Sequence, residues 1–387
     1  VTHGAGLLDS PRQAVGLPEL AEKHRVVLRQ GGALLEFRQP LLRPVPAQVQ
    51  LLLTERCNLT CLHCAVPAED SPADHELTTA EWIDIVDGLA SAGLRDLTIS
   101  GGEVFLRSDS LAIARRACIA GIDRVMLVTN ATRIVDVARA SMIEMQAEHA
   151  GLHLHVSLDG GSAATHDWMR GAGNYDRSML CMARFRSAGG RIDGIQTVVH
   201  KGNVHELGAM ARVVADLGAH SQTLFPIASV GRGADIAGVS LDRVGWELVL
   251  STAPLLAEAY GFETAVMGPV LGFDWPAAGG QYVARPRSSR PDRLCLGPDG
   301  DAFACPPLRE ESAGTGRVIA GGTDGVAQVT GRLREQLERE CPSCRYLLLC
   351  TGVDLDAADR MIPAAQDFRD PTPVRSRPQS VTIGHSG

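Results

Sequence analysis

The chain has 387 residues, 45% hydrophobic and 21% charged, with a formal net charge of −8. It is large enough for one sizeable domain plus a smaller one. The acidic balance, with no basic stripe, argues against a nucleic-acid partner, and no apolar run approaches the ~18 residues that cross a bilayer.

In chain order, the first segment carries Asp9, Arg12, Glu19, Glu22 and Lys23 and no apolar run, so a signal peptide is not expected and the chain reads as cytoplasmic. "HRVVLRQGGALLEFR" at 24–38 predicts a hairpin turning at Gly31-Gly32, within a lead-in covering 1–46. A β/α alternation follows over 47–262. Strand-like runs are "VQLLLTE", "LRDLTIS", "RVMLVTN", "LHLHVSLD", "GIQTVVH" and "SQTLFPIA", with helical stretches between them. The best marked helix starts at Thr78, with Glu81 completing a capping box and an apolar face at Trp82, Ile83, Val86, Leu89 and Ala90.

Strands alternating with helices predict a parallel sheet. A closed eightfold barrel usually needs about 250 residues, so these six units predict a partial (β/α)6 TIM-like barrel or a doubly wound sheet. Either places its site at the carboxyl ends of the strands. A linker is expected at 263–293, rich in Gly, Pro and Arg. A small cysteine-bearing domain at 294–355 and a tail at 356–387, disordered toward its end, would follow.

Chemistry concentrates in the cysteines. Cys57, Cys61 and Cys64 stand in C-x3-C-x2-C spacing directly after the first barrel strand. Cys295, Cys305, Cys341, Cys344 and Cys350 form a second group, while Cys118 and Cys181 stand alone. Such grouping in a large chain reads as metal binding rather than disulfides. Zinc would need a fourth ligand near the triplet, for which His63 and His75 are candidates. A four-iron cluster would keep one iron free of protein ligands. Only Lys23 and Lys201 are lysines, which disfavours Schiff-base chemistry.

The triplet resembles the signature of the radical S-adenosylmethionine superfamily, and the later loops match it in order. Gly101, Gly102 and Glu103 resemble the family's Gly-Gly-Glu; "TNA" at 129–131 resembles Thr-Asn-Gly, with Ala131 departing from it; "VSLDGG" at 156–161 and "PIASVGRG" at 226–233 resemble the segments after the fourth and sixth strands. The resemblance implies a [4Fe–4S] cluster with one open iron on Cys57, Cys61 and Cys64. His63 would lie against the adenine, and the Gly-Gly-Glu would hold the methionine ammonium. Asn130, Ser157 and Asp159 would be further cofactor contacts, and Arg170 would pair with the cofactor carboxylate. Together these would cleave S-adenosylmethionine to a 5′-deoxyadenosyl radical that takes hydrogen from the substrate.

The five later cysteines resemble the SPASM and Twitch auxiliary-cluster domains, with a shorter first loop and Asp354 in place of a cysteine. This implies at least one auxiliary [4Fe–4S] cluster; a zinc knuckle of Cys305, Cys341, Cys344 and Cys350 is the competing expectation. An external one-electron donor of flavodoxin or ferredoxin type is implied as well. The favoured substrate is a small sugar-like or aminocyclitol metabolite in natural-product biosynthesis, dehydrogenated or epimerised at a carbinol carbon. Cys181, or else Cys118, is the candidate hydrogen donor for epimerisation. The alternatives are a maturase that epimerises or cross-links a ribosomal peptide, and a zinc or iron–sulfur module without turnover.

Overall fold

The computed structural model describes residues 25–30, 33–38, 46, 48–66, 68, 76–134, 138–228, 230–267 and 293–303. Strands β1 (Arg25–Gln30) and β2 (Ala33–Arg38) pair antiparallel, from Arg25 opposite Arg38 to Gln30 opposite Ala33. The rest of the lead-in apart from residue 46, the middle of the expected linker, and everything beyond 303, including Cys305, Cys341, Cys344, Cys350 and the tail, lie outside the described residues.

The body is a nine-stranded sheet in the order β11-β10-β3-β4-β5-β6-β7-β8-β9. Its six central strands are β3 (Gln48–Leu52), β4 (Asp96–Ser100), β5 (Arg124–Thr129), β6 (Leu152–Ser157), β7 (Gly194–Val198) and β8 (Ser221–Phe225), all parallel. This is the partial barrel expected. Helices α1 (Thr79–Ser91), α2 (Ser110–Ile119), α3 (Arg139–Glu148), α4 (Ala163–Arg170), α5 (Asn174–Ser187), α6 (Leu207–Asp216) and α7 (Arg243–Tyr260) connect them.

The barrel runs further than its sequence pattern. β9 (Glu263–Val266) adds to β8 in parallel, and β10 (Arg293–Leu296) adds in parallel to β3 at the other edge. The two-residue β11 (Ala302–Phe303) pairs antiparallel with β10. The segment 263–293 therefore begins and ends in barrel strands rather than being linker throughout, and the unit expected from 294 opens with strands of the barrel sheet. Four-residue strands carry too little alternation to stand out from Gly- and Pro-rich surroundings.

Strand alternation sorts the side chains. In β3, Val49 and Leu51 face the helices, while Gln48 and Gln50 are only partly buried on the other side. In β7, Ile195 and Thr197 are buried and Gln196 and Val198 are not. The helix-facing side builds the main core from Leu51, Leu53, Trp82, Val86, Ile99, Ile113, Leu127, Leu154 and Phe185. A second cluster seats α7 through Trp246, Val249 and Leu250 against Val199 and Leu224. Helix α1 has the expected capping box, Thr78 and Glu81 each bonding the other's backbone. Its buried face uses Ile85 where Ile83 was expected; Ile83 is half-buried.

Candidate active site

Loops after β3, β4, β5 and β6 surround one cavity of about 260 Å³ at the carboxyl ends of the strands. Cys57, Cys61 and Cys64 line it from the first loop and Gly101 and Gly102 from the second. Asn130, Ser157, Arg170 and His63 complete that end. The sequence scatters these residues over more than a hundred positions, and parallel topology gathers them at one mouth.

The glycine pair fixes how the loops meet. Gly102 N–H donates to the Thr54 carbonyl and Glu103 N–H to the Arg56 carbonyl, both at 2.7 Å, just before the cysteines. A Cβ on Gly102 would lie 2.1 Å from the Arg56 carbonyl oxygen. One on Gly101, which sits at φ +145°, would lie 2.5 Å from that of Thr54. Only glycine permits this approach.

Glu103 departs from its expected place. Its carboxylate is fully buried and does not line the cavity. It accepts from Thr129 Oγ1 at 2.6 Å, Asn130 N–H at 2.8 Å and Phe105 N–H at 3.2 Å, so it ties the second loop to the third. Burial raises its pKa, and the bonds from Thr129 and Asn130 oppose that rise. Beyond it, Ala131 adopts φ +64°, the left-handed conformation that favours glycine, where the family's glycine is replaced. Asn130 Nδ2 donates to Asn58 Oδ1 at 3.1 Å, linking this turn to the cysteine loop.

Asp159 also sits behind the cavity wall, fully buried. Arg170 Nε donates to its Oδ2 at 2.5 Å, Val198 N–H to its Oδ1 at 2.8 Å, and His63 Nε2 lies 3.2 Å from Oδ2. Burial alone would raise the Asp159 carboxyl, but the Arg170 charge and the hydrogen bond from His63 outweigh it and hold it below the ordinary carboxylate range. Arg170 loses solvation by burial too, yet Asp159 holds it charged, and the Cys61 sulfur lies 4.0 Å from the guanidinium. Asp159 thus aims Arg170 and His63 at the cavity rather than lining it.

Two thiols feel the same burial. It pushes Cys57 up to about 12 and raises Cys61, with Arg170 opposing at Cys61. Among the described residues, no three His, Cys, Asp or Glu side chains converge on a single ion. In a four-iron cluster each thiolate bonds its own iron, so its ligands need no common point. A thiol triplet on one wall, the buried Arg170 cation beside it and a glycine pair that leaves backbone bare fit a cluster with a bound sulfonium cofactor.

The structure adds a residue that sequence reasoning passed over. Arg232, after β8, donates from Nε to the Cys61 carbonyl at 2.9 Å and from Nη1 to that of Ala68 at 3.3 Å. Its backbone N–H reaches the Cys64 carbonyl at 3.0 Å. It clamps the cysteine loop from the far side of the barrel; its only sequence signal is its place in "VGRG".

Cys181 is not at the site. It packs in the main core and its thiol donates to the Thr132 carbonyl at 3.7 Å, so the hydrogen-donor expectation is withdrawn. Cys118 packs against the same core from α2, and burial raises it to about 11. Cys295 is buried on β10 with Leu52, Phe303 and Val66, as a strand residue in an apolar cluster. Among the described residues, no helix is long and apolar enough to cross a membrane.

Comparison with known proteins agrees with this geometry. The family model described as the radical SAM superfamily matches residues 51–214. An AdoMet-dependent heme synthase of Methanosarcina barkeri is 36% identical over 332 residues, covering 79% of this chain and 90% of that protein. Mycofactocin maturase MftC of Mycolicibacterium smegmatis is 28% identical over 312 residues, covering 78% and 76%. The fold is shared with Streptococcus suis SuiB, solved with S-adenosylmethionine and with its precursor peptide SuiA. Both structures have a TM-score of 0.60, at 15% and 16% identity. Each covers 85% of this chain, and the shares of SuiB are 77% and 76%. On its cysteine loop, its glycine pair and this kinship, the chain belongs to the radical SAM superfamily.

Proposed function

We propose that the chain is a peptide maturase that takes a hydrogen atom from a carbon of a ribosomally made peptide. Cys57, Cys61 and Cys64 would hold the [4Fe–4S] cluster. Gly101, Gly102, Asn130, Ser157 and His63 would line the cofactor bed, and Arg170 would face the cofactor carboxylate. When bound, the cluster and S-adenosylmethionine supply the hydrogen-abstracting 5′-deoxyadenosyl radical. The chain's own residues do the rest. Asp159 keeps Arg170 charged and fixed, Glu103 locks the second loop to the third, and Arg232 holds the cysteine loop closed on the barrel. At least one auxiliary cluster, on Cys305, Cys341, Cys344 and Cys350, would serve as a second electron site.

The observation that carries the radical reading is the meeting of three thiols, two obligatory glycines and a carboxylate-backed arginine at one cavity. The sugar or aminocyclitol substrate and the epimerase chemistry lose support: the relatives compared bear maturase and heme-synthase names, and Cys181 packs in the core and does not line the cavity. MftC and the SuiB–SuiA pair favour a peptide. A second reading, a tetrapyrrole substrate, is favoured by the heme synthase's higher identity over 90% of its length.

The test is anaerobic reconstitution with iron and sulfide, then dithionite, S-adenosylmethionine and either precursor peptides encoded beside the gene or iron-coproporphyrin. The peptide reading expects 5′-deoxyadenosine and a mass change on a peptide, both lost in Cys57→Ala. A mass change on the porphyrin alone overturns it. Cofactor cleavage no greater than in Cys57→Ala overturns the radical reading itself and favours a module without turnover.

A further inference from the structure

Strand residues as well as loops wall the cavity, and Gln196 is the register partner of Ser157 on the neighbouring strand. Gln50 projects into the cavity from β3 and Gln196 from β7, with Val128, Val198 and Phe225 between or beside them. Both glutamines are half-buried, and among the described residues neither carboxamide has a hydrogen-bond partner. Other polar strand residues on that side of the sheet are used: Gln48 donates to Asp96 at 3.3 Å, and Arg124 pairs with the same carboxylate at 3.2 Å. The two free amides are therefore exceptions. A half-buried carboxamide left without a partner is costly unless water or a ligand satisfies it.

The charges in the cavity are already committed. Arg170 is paired with Asp159, and Arg232 spends its guanidinium on carbonyls of the cysteine loop. No lysine, aspartate or glutamate lines the cavity among the described residues. The strand wall thus offers two neutral groups, each able to donate and accept, with Val128 on β5 between their strands in the sheet order. A carboxamide is the natural complement of another amide, because each provides an N–H and a C=O. A carboxylate there would meet no free cation.

We propose that Gln50 and Gln196 hold the substrate by its backbone amides, gripping a short extended peptide segment at two points across the barrel and setting the reacting carbon beneath the cofactor. This rests on the peptide reading above and gives that site its specificity: uncharged peptide backbone over side-chain or propionate carboxylate.

The test uses reconstituted holoenzyme with S-adenosylmethionine and two defined probes, N-acetyl-trialanine amide and N-acetyl-trialanine carboxylate, titrated by saturation-transfer NMR. The neutral probe should bind at least several-fold more tightly than the carboxylate. Gln50→Ala and Gln196→Ala should each weaken it about fivefold to tenfold, the effect of one neutral hydrogen bond. Gln50→Glu, which keeps the length, should weaken the carboxylate probe most. With a turned-over peptide, the alanine variants should raise KM and the ratio of 5′-deoxyadenosine to product, whereas a general loss of structure lowers both products together. Equal binding of the two probes, no detectable binding of the neutral one, or variants within twofold of wild type would overturn the assignment. If peptides are turned over while the variants behave as wild type, the peptide reading stands and this inference falls. If only porphyrin is turned over, the peptide reading itself falls.

Discussion

At the scale of single residues the site depends on how a few of its lining groups are held from behind. Gly102→Ala puts a methyl 2.1 Å from the Arg56 carbonyl oxygen, a backbone contact that cannot rotate away. The cysteine loop must move to admit it. Overpacking of this kind costs about 1–3 kcal/mol, and here it also spreads the thiols. The variant should fold with a lowered melting temperature and, after reconstitution, fall short of wild-type iron by up to about four irons per chain, the content of one cluster. Wild-type iron content would show that the loop tolerates displacement.

Arg170 makes the parallel case for charge. Removing it leaves the Asp159 carboxylate buried with Val198 N–H and His63 as its remaining bonding partners among the described residues, so Arg170→Met should destabilise the protein by about 3 kcal/mol or more. Adding Asp159→Asn removes the stranded charge and should recover a good part of the loss. Denaturation midpoints of the two single variants and the double variant give the coupling directly. The cysteines, glycines and Arg170 were legible in the sequence because their chemistry demands those residue types at fixed spacing. Asp159 and Glu103 were legible as important but not as buried supports, since spacing does not say which way a carboxylate turns. Arg232, Gln50 and Gln196 were not legible, because an arginine in a loop or a glutamine in a strand reads as solvent-facing until the barrel closes around it.

At the scale of elements, the six central strands and the capping box of α1 followed from periodicity and end signals. Strands β9 and β10 did not, because four-residue edge strands take their stability from neighbours rather than from their own pattern. Thr78→Ala should cost about 1 kcal/mol, as loss of an N-cap does. Helix α4, which ends at Arg170, is held differently. The side chain of its N-cap Ser162 makes no bond to the helix backbone, and Glu206, in the turn before α6, reaches across. Glu206 accepts from Gly161 N–H at 2.9 Å, from Ser162 Oγ at 2.7 Å and from Thr165 Oγ1. Glu206→Ala removes three hydrogen bonds at once and should cost about 2 kcal/mol. Hydrogen exchange should locate that loss: amides of 161–170 lose protection while α1 keeps its own. Uniform loss across the barrel would mean Glu206 supports the whole fold rather than α4.

At the scale of the whole molecule, the net charge of −8 sets up a prediction in which two effects oppose each other. Acidification from pH 7 toward 5 protonates histidines and brings the net charge toward zero, so general repulsion weakens and would by itself stabilise the fold. Three buried histidines work against this. Burial lowers His155, His166 and His200 each to about 4. Arg124 adds to the effect at His155 and Arg170 at His166, while Asp159 partly offsets it at His200. Unfolded imidazoles titrate near 6.5. The unfolded chain therefore binds these protons first, and the stability that the three contribute is complete above about 6.5, falls as pH drops from there, and levels off near 4. Each adds a slope of at most about 1.4 kcal/mol per pH unit in that window. Three such slopes should outweigh a modest relief of surface repulsion, so the denaturant midpoint should fall steadily between pH 6.5 and 4.5. His155→Gln and His200→Gln should each flatten that fall by a measurable fraction. A midpoint that holds or rises on acidification would mean the imidazoles are hydrated and protonate freely in the folded state.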